Sequence, residues 1–171
     1  MKQEQEEVFE EFAREFIRRH RAAPPLWSVE RILVATDFSL CSLNALEHAE
    51  GLAEKLKAEV ILLHVEAVRV AGSKTAEVSH AAAEHQLART TEHLRSHSLK
   101  VRSLLRMGAP DEEILNAVQA ERPSLVVMGT HGRKGIAHML LGSVAERVVR
   151  SAPCPVLTVG PRKGADRDRD G

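Results

Sequence analysis

A chain of 171 residues has room for one domain with a substantial hydrophobic core. Its 24 basic residues balance its 24 acidic ones, which excludes a net field that attracts nucleic acid or an acidic membrane surface. No apolar run approaches the ~20 residues that span a bilayer. The first 20 residues are charged throughout, unlike a secretory leader, and the two cysteines have no metal-ligand spacing. We therefore expect a cytoplasmic protein with no membrane span and no nucleic-acid partner.

Residues 1–25 are predicted to form a segment separate from the folded domain: an amphipathic helix and a proline linker. Residues 3–21 have the pattern of a helix, which the Ala-Pro linker at 22–25 ends. A short amphipathic helix is marginal alone, so its apolar face needs a partner surface. That surface is the chain's own domain or a sister subunit or, alternatively, a membrane or an unknown protein partner. The apolar face consists of Val8, Phe9, Phe12, Phe16 and Ile17.

Two apolar runs predict buried parallel strands in the next part of the chain. Ile32–Ala35 is followed by Asp37 and by Ser39, a plausible N-cap of a helix. At a strand end, Asp37 can be a turn residue or a residue that contacts a ligand. Val60–Val65 is the second run, and His64 within it is interpreted as a satisfied core or rim residue.

A long helix is predicted over residues 76–97. It carries His93 and His97, whose four-residue spacing can hold a metal ion on one helical face. No third ligand is evident, so a solvated face is the simpler interpretation. A third strand follows at 101–106, near a sheet edge, and Asp111 is predicted to cap the helix after it.

A glycine-rich loop joins the apolar run Leu125–Met128 to a further helix. Gly129, Gly132 and Gly142 let the backbone turn tightly and approach a ligand. Successive N–H groups in such a loop form a nest for anions, and the helix that follows adds its positive end. The loop lacks the P-loop and G-x-G-x-x-G patterns, so the alternatives are a phosphate site and a plain turn. Ser143 begins an S-x-x-E capping box. Further donors are His131, Arg133, Lys134 and His138.

Strands alternate with helices five times, and Val156–Val159 is the last strand. This alternation predicts an α/β fold with a doubly wound five-stranded parallel sheet and right-handed crossovers. The folded domain spans residues 28–160. The charged tail at 161–171 has no apolar anchor and is predicted to be disordered.

The spacing Gly129-x2-Gly132-x9-Gly142-Ser143 resembles the nucleotide-binding motif G-2x-G-9x-G-[ST] of the universal stress protein family. The resemblance covers residues 28–160. It implies the strand order 3-2-1-4-5 of the adenine nucleotide alpha hydrolase-like class, here with an N-terminal helical extension. Four other stretches resemble family landmarks in family order: Arg31–Ser39, Val60–Val65, Met107–Pro110 and Ala152–Val159.

In that order strands 1 and 4 are neighbours where the order reverses, and a ligand crevice belongs there. Asp37 follows strand 1 and Gly129 follows strand 4. The resemblance implies that the nucleoside is framed by Ala35, Thr36, Asp37 and Val65, with Met128 near the crevice floor. It implies that ribose and phosphates are held by Gly129, Gly132, Gly142, Ser143 and Val144, with Arg133 as a secondary contact.

The function implied by the resemblance is that of an ATP-binding regulatory or sensor protein in stress response. ATP would be bound with Mg²⁺ or Mn²⁺, and the protein would be a homodimer paired through Val156–Val159. Two alternatives stay open: an interaction protein of the same fold with no nucleotide role, and an enzyme such as a slow ATPase. Between Gly129 and Ser143 no Asp, Glu or Gln could orient a water, so hydrolysis is expected to be slow or undetectable.

Overall fold

Short runs of β-branched and leucine residues form the strands, which alternate with helices along the chain. The computed structural model describes residues 10–11, 14–15, 28–67, 74–132 and 141–161, with the side chains of 74–77 excepted. The elements within 28–161 are β1 (Arg31–Thr36), α1 (Leu40–Leu56), β2 (Glu59–Glu66), α2 (Lys74–Ser96), β3 (Val101–Met107), α3 (Pro110–Glu121), β4 (Leu125–Gly129), α4 (Ser143–Ser151) and β5 (Val156–Val159).

The five strands form one sheet in the order β3-β2-β1-β4-β5, and all four pairings are parallel. This confirms the predicted fold class and strand order. In the centre of the sheet Val34 of β1 lies opposite Leu62 of β2 on one side and Val127 of β4 on the other. The order reverses between β1 and β4, so the crossovers from these two strands leave in opposite directions and open a crevice at their carboxyl ends.

Each face of the sheet is covered by a pair of helices. Alternate side chains of the central strands point to opposite faces, so Val34 packs towards α1 and α2 while Leu33 packs towards α3 and α4. Both side chains are fully buried. Burial on both faces explains why these strands are continuous apolar runs and do not alternate with polar residues.

The helix starts differ in part from the predictions. Ser39 is the N-cap of α1 and accepts a hydrogen bond from the amide of Ser42, as predicted. The prediction that Asp111 caps α3 is wrong: Ala109 is the N-cap, and Pro110 takes the first helical position. Proline suits that position because the N–H it lacks would have no helical partner. The predicted edge position of β3 is confirmed.

Several predictions fall on residues outside the described part of the chain. Of the predicted N-terminal helix, residues 10–11 and 14–15 are described and are helical. The rest of it, the proline linker at 22–25, the tail at 162–171, and Arg133 with Lys134 and His138 lie outside. Within the described residues, none of the helices combines the length and the apolar character of a membrane span.

Candidate functional site

A cavity of about 790 Å³ opens at the carboxyl ends of β1, β2 and β4. Its volume falls within the roughly 300–1,000 Å³ of small-molecule sites. Ten of the eleven predicted site residues line it; the eleventh, Arg133, lies outside the described residues. The ten are Ala35, Thr36, Asp37, Val65, Met128, Gly129, Gly132, Gly142, Ser143 and Val144.

Asp37 is held in a fixed orientation at the end of β1. Its Oδ1 accepts hydrogen bonds from the Ser39 amide at 3.1 Å and the Ser39 hydroxyl at 2.6 Å. The next residue, Phe38, has φ of 60°, a left-handed conformation that costs a bulky residue about 1–3 kcal/mol. Its amide donates to Thr36 Oγ1 at 3.0 Å, and its ring lies 4.6 Å from that of His64. The turn thus places a carboxylate at the cavity wall at a cost in backbone strain.

Gly129 and Gly132 allow the loop after β4 to pack closely against the turn after β1. A β-carbon at Gly132 would lie 2.8 Å from Asp37 Oδ2, closer than van der Waals contact allows. A β-carbon at Gly129 would lie 3.1 Å from both the carbonyl carbon and the Sγ of Cys41. The absence of a side chain at these two glycines permits the close approach. The structure therefore brings Asp37 and the glycine loop together at one cavity, as predicted.

The amino end of α4 faces the same cavity without a side-chain cap. The capping box predicted at Ser143 is absent, since Gly142 is the N-cap and Ser143 is already the first helical residue. Gly142 is fixed in that role because its amide donates to the Thr130 carbonyl at 2.7 Å. The first-turn amides of α4 therefore receive no acceptor from the N-cap side chain, and Ser143, Val144 and Ala145 line the cavity. Amides in that position favour a bound anion.

Part of the cavity wall is apolar. Ala35, Leu63 and Met128 are buried side chains of the three central strands, and Val65 is half-buried beside them. His64 is buried as predicted, with its Nδ1 2.7 Å from the Thr36 carbonyl oxygen. A cavity with both apolar walls and the amino end of a helix suits a ligand with a flat base and a charged tail.

The wall that α2 contributes was not predicted from the sequence. Ala83 and Gln86 of α2 line the cavity, as do Pro110 and Ile114 of α3. Helical periodicity identifies an apolar face but not which residues at its border overhang a crevice. For Pro110 a signal existed, since it stands in one of the landmark stretches at the start of α3.

Charge at the described wall is negative and comes from Asp37 and Glu66. Glu66 accepts a hydrogen bond from His80 Nδ1 at 2.5 Å, which raises the pKa of the His80 imidazole above its ordinary value. Glu66 is therefore engaged by α2, while Asp37 Oδ2 borders the glycine loop. Positive potential comes from the amino end of α4.

A family model and two related proteins match this chain over most or all of the folded region. The sequence model of the Universal stress protein family matches residues 28–160. The universal stress protein MJ0531 of Methanocaldococcus jannaschii is 33% identical over 138 residues, which cover 76% of this chain and 81% of that protein. The universal stress protein YxiE of Bacillus subtilis is 34% identical over 146 residues, 75% of this chain and 97% of that protein.

Solved structures share the same architecture. The structure of MJ0577 from Methanocaldococcus jannaschii superposes with a TM-score of 0.64 at 31% sequence identity. The match covers 79% of this chain and 98% of that one. The whole of the other protein therefore corresponds to the five-stranded unit described above.

Proposed function

Since this chain belongs to the universal stress protein family, we propose that it binds an adenine nucleotide in the cavity between β1 and β4. We propose further that the nucleotide is ATP with Mg²⁺ or Mn²⁺, and that its occupancy regulates a stress response. One observation carries the proposal: the uncapped amino end of α4 and the Asp37 carboxylate border one cavity that also has apolar walls.

Proteins of the same fold have been solved with adenine nucleotides. A universal stress protein in complex with cAMP superposes with a TM-score of 0.64 at 23% identity. The universal stress protein At3g01520 of Arabidopsis thaliana, with AMP bound, superposes with a TM-score of 0.58 at 21% identity. At these identities the likeness concerns the fold. It supports the choice of an adenine nucleotide over other small anions, because this fold accommodates them.

The chemistry of the cavity assigns a role to each end. Asp37, whose Oδ2 borders the glycine loop at the cavity wall, would accept a hydrogen bond from a nucleoside hydroxyl. The adenine would lie on the apolar wall, against Val65 and Met128. The phosphates would accept hydrogen bonds from the amides of the glycine loop and of Ser143, with Arg133 as a secondary contact. Mg²⁺ or Mn²⁺ would offset the remaining phosphate charge, since such ions bind phosphate oxygens readily.

Nucleotide binding without rapid turnover fits the residues present. Fast phosphoryl transfer needs a group that positions the attacking water. Among the described cavity residues, Asp37 is assigned to the nucleoside and not to the phosphates, and His131 Nδ1 lies 3.0 Å from Thr130 Oγ1. We expect hydrolysis of bound ATP to stay well below the ~1 s⁻¹ of slow enzymes. Single-turnover hydrolysis of labelled ATP measures this, and a rate near 1 s⁻¹ that is lost in His131→Ala would favour the enzyme hypothesis.

The proposal includes a homodimer and a reducing compartment. Within the described residues β5 ends the sheet, and no described strand pairs with its outer edge. An exposed edge strand invites pairing with a second copy of itself. Both cysteines are free; the buried Cys41 thiol donates to the Val159 carbonyl at 3.2 Å. Free thiols are compatible with the cytoplasm, where disulfides are rare.

Titration calorimetry with ATP and Mg²⁺ tests the proposal. The wild type should bind one nucleotide per chain, and the double variant Gly132→Val/Gly142→Val should bind at least tenfold more weakly. Its β-carbons would approach Asp37 Oδ2 and the Thr130 carbonyl oxygen. Gly51→Ala is the matched control, because nothing lies within 4 Å of the added β-carbon. Circular dichroism checks that each variant is folded. Equal affinities, or no binding by the wild type, would refute the proposal.

A further inference from the structure

A second group of polar side chains lies outside the cavity, between α1 and the end of α2. Glu50 of α1, His93 of α2 and His97 just beyond α2 place one ligand atom each within 4.8 Å of one another. From the sequence, His93 and His97 were predicted to lie on a solvated face, because no third ligand was evident. We propose that these three residues bind a transition-metal dication of the Zn²⁺ type. Glu50 is the missing third ligand, contributed from a different helix.

The geometry is close to that of a metal centre. Zn²⁺ binds imidazole nitrogen and carboxylate oxygen at about 2.0–2.2 Å, which puts tetrahedral ligand atoms about 3.3 Å apart. His97 Nδ1 already contacts Glu50 Oε1, and the rings of His93 and His97 lie edge to face with centroids 4.6 Å apart. Rotation of the three side chains would bring their ligand atoms, which lie within 4.8 Å of one another, to the separation that Zn²⁺ needs. A metal ion would then replace the hydrogen bond between Glu50 and His97.

The backbone that carries the three ligands is well anchored. Leu94, one residue beyond His93, is fully buried and holds α2 against the core. The amide of His97 donates to the Leu94 carbonyl at 3.2 Å, which continues the helical path past the last residue of α2. On α1 the neighbour of Glu50, Ala49, is fully buried. The side chain of Glu50 is 17% exposed, against 45% for His97, so the site is open to solvent on the histidine side.

The donor set selects the class of metal. Two imidazoles and one carboxylate suit Zn²⁺ and its transition-metal neighbours, whereas Mg²⁺ and Ca²⁺ prefer all-oxygen sites. Three protein ligands leave a fourth position for water or another donor. Glu47 and Glu54 lie one turn before and after Glu50 on α1, and their charges favour a dication over an anion at this surface. A bound ion would cross-link α1 to the carboxyl end of α2.

Zinc uptake by the full chain, without a histidine tag or nucleotide and after treatment with a chelator, tests the proposal. We expect calorimetry to give one Zn²⁺ per chain, and the melting temperature to rise by about 5 °C or more at a hundredfold excess over the dissociation constant. Each of Glu50→Gln, His93→Gln and His97→Gln should weaken Zn²⁺ binding at least tenfold. His85→Gln, an exposed position on the same helix, should leave it unchanged.

Two results would overturn the proposal. In the first, the wild type takes up no Zn²⁺ at micromolar concentration. In the second, uptake is the same in the wild type and in all three ligand variants, so that the ion is held elsewhere, for example beside His131 in the cavity. The nucleotide proposal does not depend on either outcome, because no nucleotide is present in the titration and the three ligands do not line the cavity.

Discussion

Glycines serve two different purposes in this molecule, and the space around each one distinguishes them. Gly51 lies within α1, and an added β-carbon there would have nothing within 4 Å. Gly129 ends β4, and an added β-carbon would lie 3.1 Å from Cys41 and from the Ser42 amide nitrogen. At Gly51 the missing side chain only costs helix stability, whereas at Gly129 it allows β4 and α1 to pack together.

Alanine at these two positions should therefore change stability in opposite directions. Gly51→Ala should raise the free energy of unfolding by about 0.5–1 kcal/mol, because alanine loses less backbone entropy in a helix. Gly129→Ala should lower it by about 1–3 kcal/mol, because the backbone of α1 has to move away. Urea unfolding of the two variants and the wild type measures both values. A stabilised Gly129→Ala would contradict the packing described here.

Single residues were predicted best where one local rule decides their position. Ser39 is the expected N-cap because its hydroxyl has a free amide to accept from. Ser143 fits the same rule, but a bond between Gly142 and Thr130, twelve residues apart, shifts the cap by one position. Periodicity and capping motifs contain no information about that distant carbonyl.

At the scale of elements, α2 is joined to the sheet through a pH-sensitive contact. His80 Nδ1 donates to Glu66 at 2.5 Å, and its Nε2 lies 3.5 Å from Glu84. The hydrogen bond to Glu66, and secondarily the charges of Glu66 and Glu84, raise the pKa of His80 above 6.5. Because the folded-state pKa is the higher one, this contact stabilises the fold fully below about pH 6.5. Its contribution is lost as the pH rises through the folded-state value.

The pKa of His80 should therefore fall when its carboxylate partner is removed. In an NMR titration of the imidazole protons, the wild type should give a pKa above 6.5 and Glu66→Gln a clearly lower one. Glu84→Gln should lower the pKa less, because it acts only through charge at a longer distance. The stability difference between the wild type and His80→Gln should also shrink as the pH rises. An unchanged pKa in Glu66→Gln would mean that the contact does not form in solution.

Contacts between helices and strands were predicted least well from the sequence. His93 and His97 were recognised as a ligand pair, but Glu50 lies more than forty positions earlier and its approach depends on how α1 packs beside α2. The wall that Ala83 and Gln86 add to the cavity depends on the same packing. Strand order was predicted correctly because the resemblance to the family implies it, whereas helix rotation on the sheet is set by side-chain packing.

At the scale of the whole molecule, the outer edge of β5 allows a sharp test of dimerisation. The carbonyls of Pro155 and Val159 accept hydrogen bonds from the β4 side, from the amides of Val126 and Thr130. Alternation along the strand therefore turns the amide of Thr158 to the opposite side, where no described strand lies.

Thr158→Pro should remove a donor from that edge without breaking the bonds to β4. We expect light scattering to give a dimer for the wild type and for Thr158→Val, which keeps the amide, and a monomer for Thr158→Pro. A monomeric wild type would contradict strand pairing, and a dimeric Thr158→Pro would place the interface elsewhere.

The central claim is that one cavity holds an adenine nucleotide with its phosphates at the amino end of α4. Backbone amide NMR of the ¹⁵N-labelled protein, titrated with ATP and Mg²⁺, tests it most directly because it locates the ligand. We expect chemical-shift changes that saturate with one nucleotide per chain and are largest at the amides of Gly129, Gly142, Ser143 and Val144, with smaller changes at Asp37. No saturable shifts, or shifts confined to residues away from the cavity, would contradict it.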